Sequence, residues 1–310
     1  MTKRALIFGC NGFVGPYLAR ELEAAGYDVY GSDVASAPKI ECANYWTVDI
    51  LDMPAVSKAI IDSRCDVLIN LAAVSSVGQS WRNPRLTMQV NVTGALNILE
   101  TVRVLDNSCK VLLIGSSEQY APAERPLIED DPLDASNPYG ISKSTQERLA
   151  KLYCDYYDVK VYIARAFNHT GPGQNPSFAI PNWCNQVAKF DRMNKPGVMH
   201  VGNLSIKRDI SDVRDIVRGY RLLFESDYVG IPFNFGSGNA VDFGSLLSII
   251  KSFSDVPISF EVDKSLVRPN DTPYICCDRS KAEKLLGWRP AIELGETLYS
   301  VYRTFLAIEQ

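Results

Sequence analysis

Tyr139 and Lys143, in the stretch Tyr139-Gly140-Ile141-Ser142-Lys143, are residue types that can move a proton. Four apart, they lie on one face of a helix. A free phenol has a pKa of about 10 and is a poor base at neutral pH. A neighbouring ammonium would stabilise the phenolate and bring proton transfer closer to neutrality. One element earlier the chain reads Gly115-Ser116-Ser117-Glu118-Gln119-Tyr120. A hydroxyl offered by such a strand end can hydrogen-bond a substrate oxygen. Alone, the Tyr/Lys pair could equally be a surface pair on a helix. It gains weight from the Ser-Ser strand end before it and from a glycine turn near the N-terminus.

That turn is Gly9-Cys10-Asn11-Gly12-Phe13-Val14-Gly15, directly after the apolar run Ala5–Phe8. Glycines tighten the chain and let backbone N–H groups approach a pyrophosphate, and the following helix presents its positive N-terminus to the same anion. A glycine triplet by itself is also a plain strand-to-helix turn. The order of later features supports a dinucleotide site. Asp33 ends the second strand, where a carboxylate can accept from the adenosine ribose hydroxyls and repel a 2′-phosphate. Asp49-Ile50 can meet the adenine edge, and Leu71-Ala72-Ala73 can lie against the cofactor. These residues predict a nicotinamide dinucleotide, with NAD(H) preferred and NADP(H) possible.

The elements that must hold these groups follow from periodicity. Apolar runs predict strands at Ala5–Phe8, Val29–Tyr30, Val67–Leu71, Val111–Ile114 and Val161–Ala164. Helical spacing separates them at Val14–Ala25, Ala55–Asp62, Leu86–Leu105 and Pro138–Tyr157. Alternation of this kind predicts an α/β chain with a Rossmann-type, doubly wound parallel sheet. After the turn-rich Asn168–Pro176 the pattern becomes less regular. Asp212–Phe224, Phe243–Phe253, Asp278–Leu286 and Leu294–Ile308 read as helices, and Ile258–Val262 as extended. The expected division is a nucleotide-binding domain over 1–168 and a smaller α/β substrate domain over 169–310, with some exchange of chain between them.

Composition narrows the function classes. The 310 residues are 46% hydrophobic and 22% charged, with a net charge of −4, a balance that favours neither nucleic acid nor a membrane surface. No apolar run approaches the ~18 residues of a membrane span. Eight cysteines lack Cys-x-x-Cys spacing and have only His169 and His200 for company, so no metal site is expected. They read as reduced thiols in a cytoplasmic protein. His169 reads as a packed loop histidine.

Taken together, GCNGFVG, DILD, LAA, GSSEQY and YGISK resemble the extended short-chain dehydrogenase/reductase family over essentially the whole chain. The resemblance implies that Ser116 is the catalytic hydroxyl and Tyr139 the acid/base. Lys143 would position the nicotinamide ribose and lower the tyrosine pKa. It also implies a homodimer, built by pairing the helices near Leu86–Leu105 and Pro138–Tyr157 across a two-fold axis.

Further stretches, RAFNHTGPGQ (Arg165–Gln174), VGNLSIKRDISDVRD (Val201–Asp215), RPNDTP (Arg268–Pro273) and LGWRP (Leu286–Pro290), are similar to a narrower group. It comprises the GDP-6-deoxy-D-mannose reductases and, less closely, the GDP-mannose 4,6-dehydratases. The implied substrate is a GDP-linked deoxyhexose. Arg208 and Arg268 could pair with its diphosphate, Asn168 and Asn203 offer amides, and Ser75, Ser76 and Ser117 could face the hexose or cap turns. Glu118 stands where sugar-nucleotide dehydratases place a glutamate that takes the carbon-5 proton. Ser117 stands where the glucose-type dehydratases carry an aspartic acid. The expectation is reduction of a 4-keto-6-deoxy hexose. A 4,6-dehydratase or 4-epimerase is the alternative, followed by a catalytically silent nucleotide-binding protein.

Overall fold

The computed structural model describes residues 2–105, 108–267 and 272–307. Strands β1 (Lys3–Phe8), β2 (Tyr27–Asp33), β3 (Asn44–Thr47), β4 (Val67–Asn70), β5 (Lys110–Ser116) and β6 (Val161–Ala166) are followed by β7 (Asn168–Thr170), β8 (Gly197–Val201) and β9 (Lys207–Asp212). The last four are β10 (Pro232–Phe235), β11 (Ala240–Asp242), β12 (Ile258–Val262) and β13 (Tyr274–Ile275). Seven of them form a parallel sheet in the order β10-β6-β5-β4-β1-β2-β3. The order reverses direction between β1 and β4, the crevice where doubly wound sheets bind dinucleotides.

Strand β1 shows why the sheet is covered on both faces. Successive side chains of a strand point to opposite sides. Ala5 and Ile7 pack with Leu18, Leu22, Ile216 and Tyr220, from helices Gly15–Ala24 and Val213–Glu225. Leu6 and Phe8 pack with Val56, Ile60, Ile98 and Leu99, from helices Met53–Ser63 and Gly94–Leu105. All four strand residues are at most 1% exposed, so the run is continuously apolar rather than alternating.

The helix expected over Leu86–Leu105 is three pieces. Helix Pro84–Met88 runs into a π-turn, Gln89–Thr93, and then into helix Gly94–Leu105. The cause sits in the wide turn. The buried Asn91 amide accepts from the Val74 N–H (2.8 Å) and donates to the Val74 carbonyl (3.1 Å) and Ser142 Oγ (2.9 Å). One side chain thereby joins the loop after β4 to the Tyr139 helix. Such turns often mark functional sites.

Past residue 168 the chain twice returns to the first sheet. Strand β10 extends its edge beside β6, and helix Ser280–Leu286 with Trp288 joins the core under β1. Helix Val213–Glu225 also covers that sheet, and a separate second-half core is built from Trp183, Val187, Leu246, Ile250 and Leu298. This unit carries the group β7, β9, β11 and β13 and the parallel pair β8–β12. No helix among the described residues is long and apolar enough to cross a membrane.

Candidate active site

The glycine turn is shaped by two close approaches. Gly9 has φ +77°, and a Cβ there would lie 2.6 Å from the Ala72 backbone nitrogen at the end of β4. A Cβ on Gly15 would lie 1.9 Å from the Cys10 carbonyl oxygen, so only glycine lets the helix start against the strand. No side chain caps the start of helix Gly15–Ala24 at Val14, which leaves its positive end open to an anion. Phe13 stacks on His169 (centroids 6.2 Å apart) and Tyr17 donates to the Pro172 carbonyl (2.7 Å), so the turn leans on the loop after β7. Burial holds the His169 pKa below its ordinary value, in keeping with a packed neutral ring.

Asp33 lies at the end of β2 beside this turn. Its carboxylate accepts from the Asn11 N–H (3.1 Å) and the Ala35 N–H (3.2 Å). The Asn11 amide donates to the Ala37 carbonyl (2.9 Å) and accepts from the Lys39 N–H (2.7 Å), closing the following loop over the turn. Asn11, Gly12, Phe13, Arg20, Lys39 and Pro172 line one open cleft. Asp49 is exposed and bonds the Leu51 N–H, whereas Ile50 is buried against Gly94. Leu71, Ala72 and Ala73 are half-buried after β4, with the Ala72 N–H held by Asn70 (3.1 Å). A glycine cradle, an open helix start, and an acid at the end of the neighbouring strand fit a nicotinamide dinucleotide.

The catalytic candidates meet at the end of β5. Asn137 caps helix Pro138–Tyr157, its Oδ1 accepting from the Gly140 N–H (2.9 Å), while its Nδ2 donates to Glu118 (2.8 Å). This amide ties Glu118 to the first turn of the helix bearing Tyr139 and Lys143. Ser116 Oγ accepts from the Glu118 N–H (3.2 Å). Burial pushes the Tyr139 phenol up to about 12, while the Ser116 hydroxyl lowers it and the Glu118 charge raises it. At neutral pH Tyr139 is therefore a neutral acid with a proton to give. Lys143 donates to the Ile114 carbonyl (2.8 Å) and to Gln146 (3.3 Å), and burial brings its pKa down to about 8.

Beneath these groups lies a buried polar network that the sequence reading passed over. The Ser116 N–H donates to Gln119 Oε1 (2.7 Å), and Gln119 Nε2 donates to Glu147 (2.9 Å). Glu147 pairs bidentately with Arg165 of β6 at 2.6 and 2.8 Å. Arg165 also donates to the Tyr120 hydroxyl and the Glu129 carbonyl, both at 2.7 Å, and Tyr120 donates to Asn234 of β10 (2.6 Å). Two signals pointed to it. Arg165 is a charge inside the apolar strand VYIARA, and Gln146 and Glu147 follow Lys143 at helical spacing on the same face.

Ser117 and Glu118 line a small cleft with Tyr120, Ser136, Thr272 and Tyr274. Arg208, 4% exposed, pairs with Ile275 in the adjoining strand of that wall, and its guanidinium donates to the Lys207 carbonyl (2.9 Å). Asn168 is exposed on β7. Asn203 lies in a loop of the second unit, where its Oδ1 accepts from the Ser205 N–H and hydroxyl (3.0 and 2.8 Å). Ser76 caps helix Val77–Arg82 by accepting from the Gln79 N–H (3.2 Å), and Ser75 is exposed beside it. Arg268 lies outside the described residues. Among those described, no group of three or more His, Cys, Asp or Glu is arranged to hold a metal ion.

Comparison with known proteins agrees with this geometry. The family GDP-mannose 4,6 dehydratase matches residues 6–301. The chain is similar to the GDP-6-deoxy-D-mannose reductase of Pseudomonas aeruginosa, 27% identical over 97% of this chain and 96% of that enzyme. It is 24% identical to the GDP-mannose 4,6-dehydratase of Vibrio cholerae, over 100% and 95% of the two chains. Among solved structures, RMD from Pseudomonas aeruginosa complexed with NADPH superposes with a TM-score of 0.87 at 25% identity, over 99% of both chains. The UDP-glucose 4-epimerase of Thermus thermophilus in complex with NAD shares the fold, with a TM-score of 0.85 at 23% identity over 98% and 99%. With the turn, the Ser116–Tyr139–Lys143 set and a match along nearly the full length, the chain belongs to the GDP-mannose 4,6-dehydratase family of extended short-chain dehydrogenases/reductases.

Proposed function

We propose that this enzyme reduces the 4-keto group of a GDP-linked 4-keto-6-deoxy hexose, with a nicotinamide cofactor as reductant and Tyr139 as proton donor. The observation that carries the reading is the buried Tyr139 phenol, protonated at neutral pH and close enough to the Ser116 hydroxyl to feel it. A group poised to release a proton suits a reaction that creates an alkoxide. The glycine turn would take the pyrophosphate, Asp33 the adenosine ribose, and Lys143 the nicotinamide ribose. When bound, the reduced cofactor supplies hydride to carbon 4. Ser116 orients the carbonyl oxygen by donating to it. Tyr139 protonates that oxygen as charge develops, and the Lys143 ammonium stabilises the phenolate left behind.

Ser117 supports reduction over the glucose-type elimination, because a hydroxyl is a far weaker acid than the carboxyl used there to protonate a leaving group. Glu118 lines the same cleft and supports the second reading, a dehydratase or 4-epimerase that retains its cofactor. Stoichiometry separates the two. The reductase consumes one reduced cofactor per keto sugar. Dehydration of GDP-mannose with no change in NADH or NADPH absorbance would overturn the proposal.

Asp33 supports NADH as the preferred reductant, since a 2′-phosphate would place about two negative charges near its carboxylate. At an effective dielectric near 20, a like-charge pair ~4 Å apart costs about 4 kcal/mol before relaxation. Arg20 and Lys39 in the same cleft offset part of that cost. Val104, Leu105, Leu152 and Tyr156 are exposed on helices Gly94–Leu105 and Pro138–Tyr157, which supports assembly as a homodimer through those helices.

A further inference from the structure

Cys65 and Cys109 stand 44 positions apart in the chain, yet their Sγ atoms are 3.5 Å apart. Cys65 lies two residues before β4 and Cys109 one residue before β5, neighbouring parallel strands joined there by the Lys110 N–H to Asp66 carbonyl bond (3.0 Å). Their site is therefore the opposite end of β5 from Ser116. Both thiols sit just below the surface, with Cys65 9% and Cys109 6% exposed.

We propose that Cys65 and Cys109 are a modification site, a dithiol that a small peroxide converts reversibly to an intramolecular disulfide. Closing from 3.5 Å to the bonded length of about 2.05 Å needs an approach of about 1.5 Å. The chemistry balances in two steps. The Cys65 thiolate attacks one peroxide oxygen and the O–O bond breaks. Cys65 becomes a sulfenic acid, and hydroxide leaves to take the thiol proton as water. The Cys109 sulfur then displaces the sulfenic oxygen, the S–S bond forms, and the second water departs. Overall, two thiols lose two electrons and one peroxide becomes two waters.

The remaining thiols are set against this reaction. Burial pushes Cys10 and Cys184 up to about 12, holds Cys277 well above its ordinary value, and raises Cys42, Cys154 and Cys276. Cys65 moves the other way: the hydrogen bond with Cys109 lowers its pKa against the opposing effect of burial. The thiolate is the reactive form, so oxidation should begin there. The adjacent Cys276–Cys277 pair offers no equivalent, because the Cys276 thiol faces the Cys277 carbonyl oxygen and the Asp209 carboxylate.

The test treats the full-length protein with a small excess of hydrogen peroxide, caps free thiols with N-ethylmaleimide, and maps non-reduced peptides by mass spectrometry. A Cys65–Cys109 cross-link should be the dominant disulfide. It should vanish with dithiothreitol and be absent from Cys65→Ser and Cys109→Ser. Closing a 44-residue loop should also raise the Tm of the oxidised wild type by several degrees. The proposal is overturned if both thiols are capped while other cysteines oxidise. It is equally overturned if Cys65 ends as a sulfinic acid beside a capped Cys109. Neither outcome depends on the proposed reductase activity.

Discussion

Under Ser116, polar side chains are bonded into a continuous path: Gln119 to Glu147, Glu147 to Arg165, Arg165 to Tyr120, and Tyr120 to Asn234. The Asn203 loop in the second unit is different. Its amide oxygen reaches only two residues along the chain, to Ser205, and the nearby Ser205 and Lys207 are exposed. One region is locked through four elements of the fold, and the other is held by a local turn. The contrast separates two demands. Proton transfer needs sub-ångström placement, which a satisfied buried network provides. Recognition of a large sugar nucleotide can use groups that settle when the ligand arrives.

The contrast is broken most directly at Tyr139. Tyr139→Phe removes the proposed proton donor and leaves the ring packing intact, so kcat should fall by roughly 10²–10⁴-fold while cofactor Kd stays near wild type. Steady-state kinetics with cofactor titration checks this, and retention of most turnover would remove Tyr139 from its role. Next in size is the buried ion pair. Arg165 and Glu147 side chains are 2% and 3% exposed, and Glu147→Gln would leave the guanidinium without a counter-charge. Loss of about 3–5 kcal/mol of unfolding free energy is expected in urea melts, with much of it recovered in the double variant Glu147→Met/Arg165→Met. If Glu147→Gln unfolds like wild type, the network does not hold the catalytic end of β5.

A pH profile sharpens the same comparison. Burial disfavours the Lys143 ammonium, which therefore loses its proton near pH 8 rather than above 10. The proposed reduction uses that ammonium to stabilise the forming phenolate. kcat/KM should thus be level below about pH 7 and decline as pH rises through about 8. Tyr139, at about 12, stays protonated throughout that range. A flat profile to pH 10 would show that the Lys143 charge is not required. Smaller again is cofactor choice, where at least a tenfold NADH preference in kcat/KM is expected, about 1.4 kcal/mol. Asp33→Ala should narrow it, chiefly by improving NADPH. Equal use of both cofactors by the wild type would put Asp33 away from the ribose. The smallest effect is expected at Asn203. Asn203→Ala should raise KM for the sugar nucleotide a few-fold with kcat unchanged, the result expected of a loop that contributes binding and no proton transfer.

Much of the nucleotide-binding half was legible in the chain before folding. Gly15 had to be glycine because a Cβ there would collide with the Cys10 carbonyl five residues earlier, and local sequence displays such a requirement. The apolar run Ala5–Phe8 reads as a buried strand, and the structure buries it on both sides. The helix that spacing predicts over Pro138–Tyr157 has those bounds in the structure, where Asn137 caps it and Pro138 opens it with a preset φ. These signals are local. They depend on spacing, backbone sterics and hydrogen-bond capacity within a few residues.

Other features needed the fold. The single helix read over Leu86–Leu105 is broken at Asn91, because that amide bonds Val74 and Ser142, partners 17 and 51 positions away. Arg165 announced a buried charge, but its acceptors come from residues 120, 129 and 147, which only sheet formation collects. The same holds for β10, which crosses back from the second half to pair with β6. The sequence by itself determined the glycine turn, the parallel strands and the residue types able to move a proton. The tertiary structure decided which partners surround them. With that it decided that the Tyr139 phenol is pushed further from ionising and that Lys143 is a weakened ammonium, because desolvation depends on what packs against a group and not on its neighbours in the chain.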